Sequence, residues 1–214
     1  MPELRPVALP PAERTIGQLV AETVRFYGDH FWEALGLGIA PAALAAVTPN
    51  VSRHTAAILS PTVFGALLSA TFVAACVIAL ESRPSRRRLV QAWLVGWLVV
   101  EPVLLPVPYL ILGGVVWLIS LALVVPVLVV EDVPVIAGVG RALRLLRADW
   151  LHQVGSVVTL AIVVVLSQGV LAFALRGFGG TAISISFFLA SMVVSPLLLI
   201  GTALLYVDQK ARAA

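Results

Sequence analysis

Residues 154–175 read VGSVVTLAIVVVLSQGVLAFAL, without one acidic or basic side chain. A helix needs roughly 20 apolar residues to cross the ~30 Å hydrocarbon core of a bilayer, and this stretch is long enough. Its apolar side chains fall on every face of a helix, a pattern typical of segments surrounded by lipid or protein rather than water. The stretch therefore predicts a transmembrane helix.

The whole chain has a similar composition. Of its 214 residues, 60% are hydrophobic and 12% are charged, and the mean hydropathy is +1.04. A soluble domain carries about a quarter charged residues, so this composition excludes a soluble globular enzyme and a disordered chain. Cys76 is the single cysteine, which excludes an intrachain disulfide and a cysteine-based metal site. We expect no cofactor.

Several further apolar runs are bounded by charges or turn formers, and together they predict six transmembrane helices. In chain order the runs are 31–47, 56–80, 89–105, 109–130, 154–175 and 181–207. Glu101-Pro102 interrupts the third run; without that crossing the termini would lie on opposite sides of the membrane. We predict an all-α, polytopic membrane bundle with a flexible leader over 1–14, one membrane domain over 15–207 and a tail over 208–214.

Lysine and arginine are distributed unevenly between the connecting segments. Most lie in the leader, the second and fourth loops and the tail, whereas the first, third and fifth loops hold only Arg53 and Arg176. Cytoplasmic segments of membrane proteins retain the positive charge. The pattern predicts a protein of the cell membrane (inner or plasma membrane) with both termini in the cytoplasm, and it alternates only if all six runs cross.

Two segments have helical periodicity but are too polar to cross. From Thr15 to Tyr27, apolar residues recur at steps of three and four, and Thr15 with Gln18 predicts a capping box. A second helix runs from about Ile136 to Trp150 beside three arginines, and its predicted apolar face consists of Val139, Leu143, Leu146 and Trp150. We expect an N-terminal and a mid-chain amphipathic helix along the cytoplasmic interface.

Several short patterns occur in a recognisable order. They are Thr15-Ile16-Gly17-Gln18-Leu19 with Phe31-Trp32, then Pro126 to Glu131, then Ala142-Leu143-Arg144 with Trp150, and finally Leu205-Tyr206-Val207-Asp208. In these the chain resembles the membrane-domain family of glycerophosphoryl diester phosphodiesterase and its stand-alone relatives, although Leu145 and Leu146 stand where members often have Arg and Ser. The resemblance implies a six-helix membrane fold. It does not imply phosphodiesterase activity, because the catalytic barrel of that family is a separate soluble module, for which the spans leave no room.

Glu101 is the most unusual residue within the apolar runs. An ionisable side chain near the middle of the bilayer costs about 2.5–3.5 kcal/mol on insertion scales unless it is paired or hydrated. One interpretation is a carboxyl that faces the bundle and bonds to Ser167 or Gln168 of the fifth run. The other is that the third helix ends nearby and Glu101 lies in water at the outer interface.

A second candidate site is basic. Its residues could bind anionic lipid headgroups, since each gains about 1 kcal/mol at the surface of an acidic leaflet; the alternative is that they act only as the topology signal. The candidate contacts are Arg86, Arg87, Arg88, Arg141, Arg144 and Arg147. Glu131, Asp132 and Asp149 flank the mid-chain basic helix and could pair with the arginines of that helix, or with Lys210 and Arg212, and so connect the fourth loop to the tail; the alternative is that they are independent, solvated charges. Asp208 is expected to act as a structural anchor at the membrane exit.

No catalytic triad, phosphate-binding loop or carboxylate pair is present at a useful spacing. The sequence therefore favours a non-enzymatic membrane scaffold, an assembly partner or a lipid-associated module. Its expected partners are membrane lipids, a second copy or another membrane protein, and not nucleic acid. The alternative is a small transporter or channel subunit with a polar path near Glu101.

Overall fold

Residues 10–104, 111–175 and 180–213 are described by a computed structural model of the chain. The described chain is all-helical, with 88% helix and no strand. The helices are α1 (Ile16–Asp29), α2 (Phe31–Leu37), α3 (Ile39–Val47), α4 (Arg53–Leu59), α5 (Gly65–Ala79), α6 (Arg86–Leu104), α7 (Ile111–Leu121), α8 (Val124–Val130), α9 (Val135–Ala148), α10 (Trp150–Leu175) and α11 (Gly180–Arg212).

Four helical segments in the described ranges are long and apolar enough to cross a membrane. They are Phe31–Asn50, Arg53–Ala79, Trp150–Leu171 and Phe187–Arg212, which correspond to the first, second, fifth and sixth predicted runs. The third run forms α6, a helix of 19 residues that begins with three arginines. The fourth run differs from the prediction, because it forms two helices, α7 and α8; residues 105–110 before them lie outside the described residues.

The break between α7 and α8 has a local cause. Pro126 has no N–H, and its ring clashes with the carbonyl four residues earlier, that of Ala122. The chain accordingly turns at Ala122 and Leu123 before α8 begins. Every residue from Val124 to Val129 is buried, and α8 packs against α5, α6 and α9. Protein, rather than lipid, surrounds this short helix.

A second proline shapes the contact between the second span and α6. Around Pro61 the span forms a π-helical turn, Ser60–Phe64, in which the N–H of Gly65 bonds to the carbonyl of Ser60. The carbonyl of Pro61 instead accepts a hydrogen bond of 2.7 Å from Trp97 Nε1. Within a bilayer no water replaces such a partner, so this bond holds α6 beside the second span.

Helix α1 begins where the capping box predicts. Thr15 Oγ1 accepts from the N–H of Gln18 at 3.3 Å, and Gln18 Oε1 accepts from the N–H of Thr15 at 2.8 Å. Leu19 and Thr23 are fully buried and face α10 and α11, on which α1 packs.

Helix α9 also forms where periodicity predicts a helix, but a different face meets the bundle. Its buried residues are Gly138, Ala142 and Leu145, each one position before a member of the predicted face. The small Gly138 lets α9 approach α8, where a Cβ would lie 2.6 Å from Leu128 Cδ2. The predicted face, Val139, Leu143 and Leu146, is half-buried, and Trp150 is exposed.

The first span crosses α11 at a glycine. Helices α2 and α3 meet at Gly38, which lies against the backbone of Met192, so that a Cβ at this position would overlap the Met192 carbonyl oxygen. Small residues permit such close contacts between helix backbones in membranes. Gly38 is therefore required by the packing of the first span on the last.

We expect Gly38→Ala to lower the free energy of unfolding by about 1–3 kcal/mol, the usual cost of overpacking. Thermal unfolding in mild detergent measures the change. Gly36→Ala is the matched control, because no atom lies within 4 Å of a Cβ at Gly36 and alanine is the better helix former. Equal stability of the two variants would contradict the proposed close contact.

Candidate functional site

Charged residues from distant parts of the chain meet at one end of the bundle. The contributing segments are the residues before α1, the first turn of α6, the α8–α9 connection, the α9–α10 corner and the last turns of α11. We call this the charged end. Because the pairs Arg14–Asp208, Arg88–Asp132 and Arg212–Asp149 join segments far apart in sequence, they fix how the helix ends are arranged.

Asp208 is the centre of the first group of contacts. Its side chain is completely buried; Oδ1 lies 3.2 Å from Arg14 Nη1 and Oδ2 lies 3.7 Å from His152 Nε2. Neither Oδ2 nor His152 Nε2 has a hydrogen bond in the described structure. The sequence predicts a structural anchor at Asp208, and the fold adds that this side chain is enclosed and paired with Arg14. An ionised carboxylate needs a cation in such a site, because burial removes its hydration.

Arg212 connects the two ends of the described chain. Its Nη1 contacts Asp149 Oδ2 at 2.7 Å, and its Nη2 donates to the carbonyl of Arg14 at 2.6 Å. The other oxygen of Asp149 accepts from the N–H of His152 at 3.0 Å, which caps the first turn of α10. The predicted connection between the fourth loop and the tail is thus confirmed for Asp149.

Gln153, the residue after His152, is a further buried polar residue. Its Nε2 donates to the carbonyl of Ile119 at 2.7 Å, and the side chain is fully buried. The last carbonyls of a helix have no partner within it, so Gln153 satisfies one that the break after α7 leaves free. Sequence reasoning missed this residue. The available signal was the helical spacing of His152, Gln153 and Ser156, polar residues at the start of an apolar run.

Glu131 is the centre of the second group. Oε1 accepts from the Tyr206 hydroxyl at 2.9 Å and lies 3.3 Å from Lys210 Nζ, while Oε2 lies 3.5 Å from Arg141 Nε. Burial acts to raise the pKa of this carboxyl, but the hydrogen bonds from Tyr206 and Lys210, with the charges of Lys210 and Arg141, outweigh burial and hold the pKa below its ordinary value. The predicted pairing of Glu131 with the basic helix and the tail is confirmed.

The six arginines proposed as lipid contacts divide into two classes. Arg88 pairs with Asp132, and Arg141 pairs with Glu131, so both are neutralised within the protein. The others are exposed and form no ion pair with any described residue; they are Arg86, Arg87, Arg144 and Arg147. Only this second class offers charge to a ligand.

The residues proposed around Glu101 are not brought together. Gln168 Nε2 donates to Ser191 Oγ of α11 at 3.4 Å, and Ser167 is exposed. Glu101 is half-buried on α6, and no hydrogen bond joins it to either residue in the described ranges. The predicted contact of Glu101 with the fifth run is therefore absent from the hydrogen bonds of the described residues.

No group of three or more histidine, cysteine or acidic residues among those described could hold a metal ion. No protein family, curated protein or solved structure matches the chain. The resemblance to the phosphodiesterase membrane-domain family stays a prediction. What the charged end offers is a buried network that fixes the helix ends and an outer set of unpaired guanidinium groups.

The pKa of Glu131 predicts how stability depends on pH. A carboxyl whose pKa is lower in the folded chain than its ordinary value of 4.5 stabilises the fold above about pH 4.5, and this contribution disappears as pH falls through the folded pKa. We expect Glu131→Gln to lower the free energy of unfolding at pH 7 by about 1.5–3 kcal/mol, as for a lost charged hydrogen bond. The acid limb, the fall of this free energy between pH 7 and pH 3, should be less steep in the variant. Thermal unfolding between pH 7 and pH 3 measures both effects.

Glu33→Gln is the control for this experiment, because Glu33 is exposed and forms no ion pair with a described residue. An acid limb of the same steepness in Glu131→Gln and in the unmodified chain would show that the Glu131 contacts contribute nothing.

Proposed function

We propose that this chain is a non-enzymatic, multi-pass protein of the cell membrane that binds anionic phospholipid at its cytoplasmic face and acts as a scaffold or assembly module. The observation that carries the proposal is the set of four unpaired arginines at the charged end. The acidic residues Asp132 and Glu131 at this end pair with Arg88 and Arg141 and not with these four arginines. The remaining positive charge is available to lipid headgroups.

The arrangement of helices supports a topology with both termini in the cytoplasm. Two candidate spans lie between Arg14 and Arg88; His152 lies at the start of the third candidate span and Asp208 near the end of the fourth. Between Arg88 and Asp132 the chain leaves the charged end and returns to it, since these two residues form an ion pair. We propose that α6 and the α7–α8 pair form one more hairpin, between the first two and the last two candidate spans, which gives six crossings. The excess of arginine assigns the charged end to the cytoplasm.

Helix α9 supports an interfacial position at this end. It contacts the bundle through Gly138, Ala142 and Leu145, and its outer side carries Ile136, which is 89% exposed. Arg144 and Arg147 lie on the same helix. A helix with exposed apolar and basic residues inserts its apolar face below the headgroups and pairs its cations with acidic lipid.

Labelling of single cysteines tests the topology. Cys76 is fully buried and is not expected to react, so Arg86→Cys, Arg144→Cys and Arg53→Cys can be made in the unmodified chain. We expect a membrane-impermeant maleimide to label the first two from the cytoplasmic side only and the third from the opposite side only. Labelling of positions 86 and 144 from opposite sides would overturn the arrangement.

Lipid binding is tested by replacing the unpaired arginines with glutamine. At about 1 kcal/mol for each cation, we expect affinity for phosphatidylglycerol to fall about fivefold per arginine removed at positions 86, 87, 144 and 147. Native mass spectrometry in mixed phosphatidylglycerol and phosphatidylcholine micelles measures the bound lipid. Arg53→Gln is the control, because Arg53 is exposed at the start of the second span. Unchanged phosphatidylglycerol binding by the fourfold variant would contradict the proposal.

A further inference from the structure

An apolar groove of about 480 Å³ runs between α5 and the start of α6. Its walls include Ala70, Ala74, Val77 and Leu89, and its mouth is formed by Ser82 and Arg83. The small side chains of Ala70 and Ala74 are one helical turn apart and therefore lie on the same face of α5. They leave the hollow that larger residues would fill.

The length of the groove suits a lipid chain. Ala70 lies nine residues before the last residue of α5, which is about 13 Å at 1.5 Å per residue. One leaflet of hydrocarbon is about 15 Å thick, half of the ~30 Å core. The groove thus extends from the charged end to a depth near the middle of the bilayer.

The mouth of the groove is polar and positively charged. Arg83 is exposed and has no ion pair with a described residue, whereas the hydroxyl oxygen of Ser82 is buried and has no hydrogen-bond partner in the described structure. Helix α6 begins immediately afterwards at Arg86, and the first N–H groups of a helix are free to bind an anion. Guanidinium, hydroxyl and backbone N–H groups are the usual partners of a phosphate.

We propose that this groove is a specific site for one anionic glycerophospholipid of the cytoplasmic leaflet. One acyl chain lies along Ala70, Ala74 and Val77, and the phosphate binds Arg83. The apolar walls select a lipid over free phosphate, and the positive mouth favours an anionic over a zwitterionic headgroup. The inference rests on the proposed lipid-binding function and adds a defined site to it.

Filling the groove tests the proposed binding of the acyl chain. Ala70 is exposed, so Ala70→Leu should occupy the hollow without disturbing the packed side of α5. Ala174→Leu is the matched control, an exposed alanine on α10 outside the groove. Native mass spectrometry of the full chain, extracted from nanodiscs of phosphatidylglycerol and phosphatidylcholine, counts the retained lipids. We expect the unmodified chain and Ala174→Leu to retain one phosphatidylglycerol that Ala70→Leu loses.

Arg83→Gln tests the proposed contact between Arg83 and the lipid headgroup. We expect it to reduce retained phosphatidylglycerol about fivefold, for the loss of about 1 kcal/mol, and to remove the preference over phosphatidylcholine at this site. Retention of the lipid by Ala70→Leu would overturn the groove site, and equal retention of phosphatidylcholine by the unmodified chain would overturn the headgroup contact.

The two proposals fail in different ways. If the variants at positions 86, 87, 144 and 147 lose lipid while Ala70→Leu keeps it, the arginine surface binds lipid and the groove does not. If Ala70→Leu alone loses lipid, the groove is the site and the proposed role of the four arginines is wrong. Melting temperatures within about 2 °C of the unmodified chain, measured on the same samples, show that a variant remains folded.

Discussion

A carboxylate that is removed from water must be placed beside a cation, and the arrangement of the charged end follows from this requirement at Asp208. Removing one partner of a buried ion pair typically costs about 3–5 kcal/mol. Asp208 therefore holds Arg14 in position, and Arg14 in turn accepts a hydrogen bond from Arg212 through its carbonyl. The segment before α1 and the end of α11 are fixed to each other by these contacts rather than by apolar packing alone.

The same end separates two uses of positive charge. Acidic residues are few in this chain, and those at the charged end are directed at particular cations: Glu131 binds Arg141 and Lys210, and Asp132 binds Arg88. The pairs of Glu131 with Lys210 and of Asp132 with Arg88 join helices that are distant in sequence. The arginines without such a partner are exposed, and we propose that an acidic leaflet supplies their counter-charge. The ion pairs thereby divide the arginines of this end into a paired, structural set and an exposed set, to which we assign the proposed lipid contacts.

Two prolines and two side-chain donors, Trp97 and Gln153, illustrate how backbone carbonyls are satisfied away from water. Pro61 lies in a wide helical turn, and its carbonyl accepts a hydrogen bond from Trp97. Pro126 ends the helical path before α8, and Gln153 binds the carbonyl of Ile119 at that break. In each case a side chain from another helix provides the hydrogen bond that an apolar environment requires. The interruptions therefore strengthen contacts between helices instead of weakening the bundle.

The sequence by itself determined the elements that depend on composition and short-range periodicity. Four of the predicted runs are helices of spanning length, the capping box at Thr15 is present, and Glu131 and Asp149 pair with the basic helix and the tail as predicted. These features follow from local hydropathy, from spacing along one helix or from the scarcity of acidic partners, all of which are visible in a linear pattern.

Only the tertiary structure decided which side of each helix meets its neighbours. Periodicity assigned the face of Val139 and Leu143 to α9, but Gly138 and Ala142 allow the closer approach to α8 and form the buried side. The burial of Asp208 and Gln153, the separation of Glu101 from Gln168, and the division between paired and free arginines could not be predicted either. Each depends on distances between segments far apart in the chain, and such distances are fixed by packing rather than by the order of residues.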